Sequence, residues 1–222
     1  MYRYLFASLV LVPLAGCVSS GVRDFEVTPS QTLDTQIGSR LTLLLPSGNF
    51  VVEQSPDEQL HASVRFFCNA DSETCQKNAM EAGIRHTQQG EQSTLSFKPS
   101  SAYSSRYADL RFLIRVPEVE NLSIEMDAGA LKIDSATACI NVKAGAGEVS
   151  IRAPAASAAS VSLDANIGDS SLRTPSGDVY DERKLLVGSE VQWDEGSGRC
   201  QLRGKLQAGN LDVELVAAPT SP

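Results

Sequence analysis

The stretch Asn121-Leu122-Ser123-Ile124-Glu125-Met126-Asp127-Ala128-Gly129-Ala130-Leu131-Lys132-Ile133-Asp134 alternates apolar and polar side chains on both sides of a glycine. Alternation with period two is the signature of half-buried strands. Measured from Gly129, the apolar positions are Leu122, Ile124 and Met126 before it, then Leu131 and Ile133. The same offsets recur around Gly147, with Ile140, Val142, Ala144, Val149 and Ile151. Gly168 has Val161, Leu163, Ala165, a lapse at Ser170, and Leu172. Gly209 has Leu202, a lapse at Gly204, then Leu206, Leu211 and Val213, and Gly48 has Leu41, Leu43, Leu45, Phe50 and Val52. A further register centred on Ser189 supplies Leu186, Val191 and Trp193. Centres at 129, 147, 168, 189 and 209 are spaced by 18, 21, 21 and 20 residues, the regularity of stacked strand repeats.

These spacings predict an all-β domain, a β-solenoid built of strand-Gly-strand units of about 20 residues whose inward side chains stack from unit to unit. Gly48, Gly129, Gly147, Gly168 and Gly209 are expected to be structural turn residues, because a sharp bend that keeps both strands facing the core favours positive φ. The alternative is an antiparallel β-sandwich of hairpins, with Met126 opposite Leu131 and Ile124 opposite Ile133. Ala144-Gly145-Ala146-Gly147 is no phosphate cradle, since strand rather than helix follows it. Upstream, Val51 to Phe67 reads as strands interrupted at Ser55-Pro56-Asp57. Glu73 to Ala82 is the one plausible helix, capped by Asp71 or Ser72 and stopped at Gly83. Strand character resumes at Leu95 to Phe97 and Leu110 to Val116.

At the N-terminus, Arg3 precedes the apolar run Leu5 to Leu14, too short to span a bilayer and of secretory-signal length. The following Leu14-Ala15-Gly16-Cys17 resembles the lipobox of bacterial lipoproteins. The resemblance implies cleavage before Cys17 and acylation, palmitate included, of that cysteine. The expected organisation is a lipoprotein signal peptide at 1–16, a lipid-anchored tether at 17–32, a β-repeat domain at 33–216 and a disordered tail at 217–222. Val18 stands where an aspartate would imply inner-membrane retention, so the resemblance points to the periplasm and the outer membrane. The chain carries 27 acidic against 19 basic residues, a net charge of −8 that becomes about −9 once the segment holding Arg3 is removed. Such a surface repels nucleic acid and anionic headgroups, leaving attachment to the acyl chains.

With Cys17 lipidated, four cysteines remain, and an even number in an exported chain suggests two disulfides. Cys68 and Cys75 are close in sequence across turn-forming residues. Cys139 and Cys200 then pair by default, but in a solenoid stacked in chain order they would lie about 14 Å apart, beyond the reach of a disulfide. Either these thiols stay unpaired, or one pairs with Cys68 or Cys75, or the units are hairpins folded into an antiparallel sandwich. Zinc is disfavoured because no C-x-x-C spacing occurs.

Pro46-Ser47-Gly48-Asn49-Phe50-Val51-Val52, Leu113-Ile114-Arg115-Val116-Pro117, Ala144 to Ile151 and Gly209-Asn210-Leu211-Asp212-Val213 resemble the bacterial "putative adhesin" domain of unknown function, a β-solenoid-like family. The resemblance spans about Leu41 to Leu215 and implies a fold more than an activity.

Candidate chemistry is sparse. His61 and His86 have no second metal-type neighbour at i+2 or i+4, and Ser197 in Gly196-Ser197-Gly198 lacks a nucleophile elbow. Asp164, Asp169, Asp178, Asp181 and Glu182 offer acids for glycoside cleavage or Ca²⁺, but without a D-x-D-x-D spacing they read as solvated turn residues. Tyr103, Tyr107 and Phe112 beside Arg106 and Arg111 suit a glycan or protein contact, with Phe112 partly core; Trp193 is expected to be buried. No catalytic residue, metal or cofactor is expected. The functional expectation is a non-enzymatic envelope lipoprotein acting as a binding or scaffold module for an unidentified envelope protein or glycan. The alternative is a carbohydrate-active enzyme on a β-helix scaffold.

Overall fold

The computed structural model describes residues 24–26, 31–69, 73, 75, 77, 83–98, 108–135, 137, 139–184 and 187–217. Its strands in chain order are β1 (Asp24–Glu26), β2 (Gln31–Thr35), β3 (Arg40–Leu45), β4 (Gly48–Gln54), β5 (Leu60–Asn69), β6 (Gly83–Gln89), β7 (Gln92–Lys98) and β8 (Ala108–Val116). There follow β9 (Asn121–Asp134), β10 (Ile140–Pro154), β11 (Ala158–Arg173), β12 (Val179–Tyr180), β13 (Glu182–Lys184), β14 (Gly188–Trp193) and β15 (Cys200–Val216). The protein is all-β over the described residues apart from a short 3₁₀ turn at Ala155–Ser157 and helical positions at Glu73, Cys75 and Lys77 within the expected helix.

Each glycine-centred unit is one long strand bent at its glycine. β9, β10, β15 and β11 lie side by side, parallel and in register, and the β3–β4 pair adds a fifth level. Gly48, Gly129, Gly147, Gly209 and Gly168 are successive partners and form one column. Two constraints select glycine there. At Gly129, Gly147, Gly168 and Gly209 φ lies between +117° and +131°, and a Cβ on any of them would sit 1.8–1.9 Å from the carbonyl oxygen of the neighbouring level's glycine. Gly48, at the end of the column, departs from the expectation. It has no positive φ, and it is tight only against Leu110 and the Phe50 ring.

The two limbs of each bent strand face a common core, as sandwich layers do. Phe97 on the first-limb side meets Phe112 on the second edge-to-face at 5.1 Å, and Phe112 stacks on Phe50 at 4.8 Å. Leu211 of the second limb fills the space left by the lapse at Gly204, so close that an added Cβ would meet its Cδ2 at 2.7 Å. The other lapse, Ser170, is buried with its hydroxyl hydrogen-bonded to that of Ser189 at 2.8 Å. All the other inward positions expected around the five glycines are buried apolar side chains. The limbs of a unit are not paired with each other: Met126 is partnered by Ala144 and Leu131 by Val149, so the hairpin pairing is not formed at these strands.

Stacking does not follow chain order, which corrects the sequential arrangement. β15 inserts between β10 and β11, so Cys139 at the entry to β10 comes within 4.5 Å (Cα to Cα) of Cys200 and is bonded to it. The Cys68–Cys75 bond is also present. The unit expected around Ser189 is instead β14, antiparallel to β11 with Ala165 opposite Ser189. Val191 and Trp193 are nonetheless buried, while Leu186 lies outside the described residues.

Antiparallel strands close both ends. Beyond β3 and β4 come β7 and β8, still parallel to them, and then the antiparallel β6 on β7 and β5 on β8, with β1 and β2 antiparallel on β5. Beyond β11 come β14 and the three-residue β13, whose exposed Glu182 and Arg183 make a short charged margin unsuited to edge pairing. Because β1 and β2 belong to the sheet, the body reaches upstream of residue 33 into the expected tether. Cys17, Tyr103, Arg106, Tyr107 and residues 218–222 lie outside the described residues. No described helix is long and apolar enough to cross a membrane.

Candidate binding face

In-register parallel stacking converts equal offsets from the glycine into rows running across the sheet. On the outer face of the first limbs, the row six residues before each glycine contains Thr42, Ser123, Asn141, Arg203 and Ser162, continued by Thr94 on β7 and Gln192 on β14. The row four before contains Leu44, Glu125, Lys143, Lys205 and Asp164, continued by Glu190. The row two before contains Pro46, Asp127, Gly145, Gln207 and Asn166. The latter two rows border a groove of about 780 Å³ that crosses the levels from Leu44 to Asp164. Gly145 brings no side chain into it, and a Cβ there would strike the Asp127 carbonyl oxygen at 2.4 Å.

Within the groove, the Lys143 ammonium lies 3.5 Å from the Glu125 carboxylate, and the Asn166 amide donates to Gln207 Oε1 at 3.3 Å. Among the described residues the Lys205 ammonium has no hydrogen-bond or ion-pair partner, though Asp164 stands opposite it on β11. Beside the groove, Gln192 donates to the Ser162 hydroxyl at 2.8 Å and Gln92 to that of Thr42 at 3.0 Å. The face thus carries hydroxyls, amides and charges with Leu44 exposed among them, and the groove is lined in addition by the apolar Leu45, Phe97, Met126, Ala144 and Leu206.

The outer face of the second limbs carries a different row. Asp34, His61, Arg115 and Glu53 are successive partners across β2, β5, β8 and β4, and Asp134, Arg152, Glu214 and Arg173 are successive partners across β9, β10, β15 and β11. Here opposite charges meet: Arg115 with Glu53 at 2.7 Å, and Arg152 with Asp134 at 3.9 Å and Glu214 at 3.7 Å. Exposed pairs of this kind contribute little singly, about 0–1 kcal/mol, but as opposite-charge cross-strand neighbours they favour this register over a shifted one.

At the end of that row His61 is held between two carboxylates, with Nδ1 2.7 Å from Asp34 Oδ1 and Nε2 2.8 Å from Asp57 Oδ1. Ionised carboxylates only accept, so the ring donates to both of them when it is protonated and to one alone in either neutral tautomer. The Asp34 hydrogen bond first, and that to Asp57 second, raise the His61 pKa; the Gln59 N–H first, then the His61 ring, lower that of Asp57. The sequence marks His61 as an ordinary strand histidine, because its partners lie on another strand and in a loop.

The remaining candidates do not converge. Asp164 borders the groove, Glu182 lies opposite Glu190, and Asp169 is 4.0 Å from Arg183 beyond the glycine column. Asp178 closes the Thr174–Asp178 turn by accepting from Ser176 at 2.6 Å, and Asp181 is exposed between β12 and β13. Ser197 is exposed in a turn whose flanking glycines lie against the backbone of Ala158 and Ala159. His86 points inward with a buried, unpartnered Nε2. Phe112 is core, whereas Arg111 lies over the Phe67 ring at 4.4 Å. Among the described residues, no three His, Cys, Asp or Glu side chains are placed to hold a metal ion. The rows of the two outer faces escaped the sequence reading, although aligning outward offsets on the same glycines displays their composition.

No protein-family profile and no curated protein sequence matches the chain. Among solved structures it is similar to a "putative cell adhesion protein" from Clostridium sporogenes, at 11% identity and a TM-score of 0.45 over 86% of this chain and 100% of that one. It is also similar to a "putative lipid binding protein" from Parabacteroides distasonis, at 15% identity and a TM-score of 0.34 over 86% of this chain and 64% of that one. A "putative adhesin" from the same organism has 9% identity and a TM-score of 0.30, with 85% and 96% covered. Likenesses this distant assign no activity.

Proposed function

We propose that this chain is a non-enzymatic envelope lipoprotein, anchored through acylated Cys17, that binds an envelope glycan on the outer face of its first-limb strands. One observation carries the reading: rows of hydroxyl, amide and charged side chains cross the levels without interruption beside the groove, from Thr42 to Gln192 and from Glu125 to Asp164. Levels are spaced by about 4.8 Å, close to the length of one sugar ring in an extended chain. A linear glycan along the stacking direction therefore meets a hydroxyl, amide or charged side chain at every level of the row from Thr42 to Gln192. A peptide strand would add to a sheet edge rather than lie on a face. We read the body as solenoid-like, with units stacked out of chain order.

The anchor rests on Leu14-Ala15-Gly16-Cys17. Crosslinking and affinity capture of the lipidated protein from its native envelope tests the whole reading. Wild type is expected to retain labelled palmitate and enrich glycan-bearing material, and Cys17→Ser to lose both the label and membrane association. Palmitate incorporation that survives Cys17→Ser refutes the anchor, and capture without any enriched component refutes the binding role.

A further inference from the structure

Charge is arranged differently on the two faces. The second-limb row sets Arg115 against Glu53 and Arg152 between Asp134 and Glu214, whereas in the first-limb row Lys143 and Lys205 are direct partners on adjacent strands. Arg203, two residues from Lys205, adds a third positive charge, and its partner Asn141 completes a two-by-two patch. Like charges directly opposite are destabilising, and in a chain with 27 acidic residues this crowding is not forced by composition. Lys143 reaches Glu125 at 3.5 Å and Asp164 stands opposite Lys205 on β11, but Arg203 donates only to the neutral amide of Gln201, and among the described residues the Lys205 ammonium makes no hydrogen bond or ion pair.

We infer that Lys143, Lys205 and Arg203, with the Asn141 amide beside them, form an oxyanion subsite that takes a carboxylate or phosphate group carried by a linear glycan. This rests on the glycan-binding reading of the same face and specifies the ligand. Two neighbouring ammonium groups bracket one oxyanion, and the guanidinium can donate to it in a fork. Glu125, Asp127 and Asp164 border the groove on either side, so a polymer charged at every unit is repelled. The fitting ligand is sparsely acidic, with neutral sugars on the neighbouring levels.

The test measures binding of three probes to the full-length Cys17→Ser chain by titration calorimetry at low and high salt: a hyaluronan hexasaccharide (a carboxylate on alternate sugars), neutral chitohexaose, and heparin. Variants are Lys143→Gln, Lys205→Gln and, as a charge-matched control on the opposite face, Lys132→Gln, each checked for an unchanged melting temperature. The expected result is salt-sensitive hyaluronan binding that weakens about tenfold with either groove substitution and is unaffected by Lys132→Gln. Equal binding of chitohexaose, insensitive to both groove variants, overturns the oxyanion subsite and leaves the glycan face standing. Heparin binding more tightly than hyaluronan, with Lys132→Gln weakening both, overturns it in favour of general electrostatics. Failure of all three probes to bind overturns the subsite, and envelope capture then decides separately whether the broader reading survives.

Discussion

Replacing Gly147 by alanine tests the glycine column, and Gly90→Ala provides the internal reference. Both glycines have positive φ, +128° and +59°, but Gly90 sits in the β6–β7 turn with no atom within 4 Å of an added Cβ. Alanine there bears only the left-handed backbone cost of about 1 kcal/mol. At Gly147 the Cβ would lie 1.8 Å from the Gly129 carbonyl oxygen, where less than 3.0 Å is not tolerated, so one level must move by about 1.2 Å. The contact is with backbone, and β10 is bonded to β9 on one side and β15 on the other, so relief requires distorting a parallel ladder. Backbone strain of about 1–3 kcal/mol together with one or two weakened ladder hydrogen bonds at about 1 kcal/mol each gives a loss of about 2–5 kcal/mol. Guanidinium unfolding followed by fluorescence of Trp193, the chain's one tryptophan, buried against the far end of the stack, measures both variants. A Gly147→Ala loss within about 0.5 kcal/mol of that for Gly90→Ala would refute the close-approach argument.

The Cys139–Cys200 bond closes a span of 61 residues and the Cys68–Cys75 bond one of 7, so chain entropy makes the first worth about 4 kcal/mol and the second about 2.5; paired Cys→Ala variants in denaturant melts should keep that order, and a reversal contradicts it. Ser170→Ala should cost about 1–3 kcal/mol by leaving the buried Ser189 hydroxyl unpartnered, and adding Ser189→Ala should recover part of the loss in a double-mutant cycle. The His61 clasp should tie β2 to the body within a pH window. His61, raised by Asp34 and Asp57, contributes fully below the ordinary imidazole value and loses that contribution as pH rises through its raised folded value. Asp57, lowered by the Gln59 N–H and His61, contributes above the ordinary carboxylate value and loses it as pH falls through its lowered folded value. Amide protection at Thr32–Thr35, corrected for intrinsic exchange, should therefore be greatest between about pH 4 and 6.5; an identical profile in His61→Gln would remove the clasp.

Much of the core is legible in the sequence because burial obeys local rules: alternation around each glycine identifies the inward side of every limb. Order of stacking obeys no such rule, since units with the same alternation are interchangeable as neighbours. What distinguishes them is complementarity between residues distant in the chain, such as Ser170 with Ser189 or Cys139 with Cys200. The default cysteine pairing, incompatible with sequential stacking, is where the sequence itself signals a permuted order. The oxyanion subsite depends wholly on that order, because Lys143 and Lys205 become neighbours only when β15 takes its place beside β10. Leu186 and the expected aromatic contact at Tyr103 and Tyr107 fall outside the described residues.

The insertion of β15 between β10 and β11 also sets a timetable. A chain synthesised N-terminus first delivers β9, β10, β11 and β14 before the strand that belongs in their midst. Until Val216 has emerged, the inner margins of β10 and β11 remain unpaired, and they cannot close on each other without excluding the latecomer. For that interval the nascent protein presents two long parallel templates, the condition in which strands recruit foreign partners. Docking of the last strand brings the Cys139 and Cys200 thiols together for joint oxidation by an external two-electron acceptor, so this covalent bond fastens the stack in its permuted order.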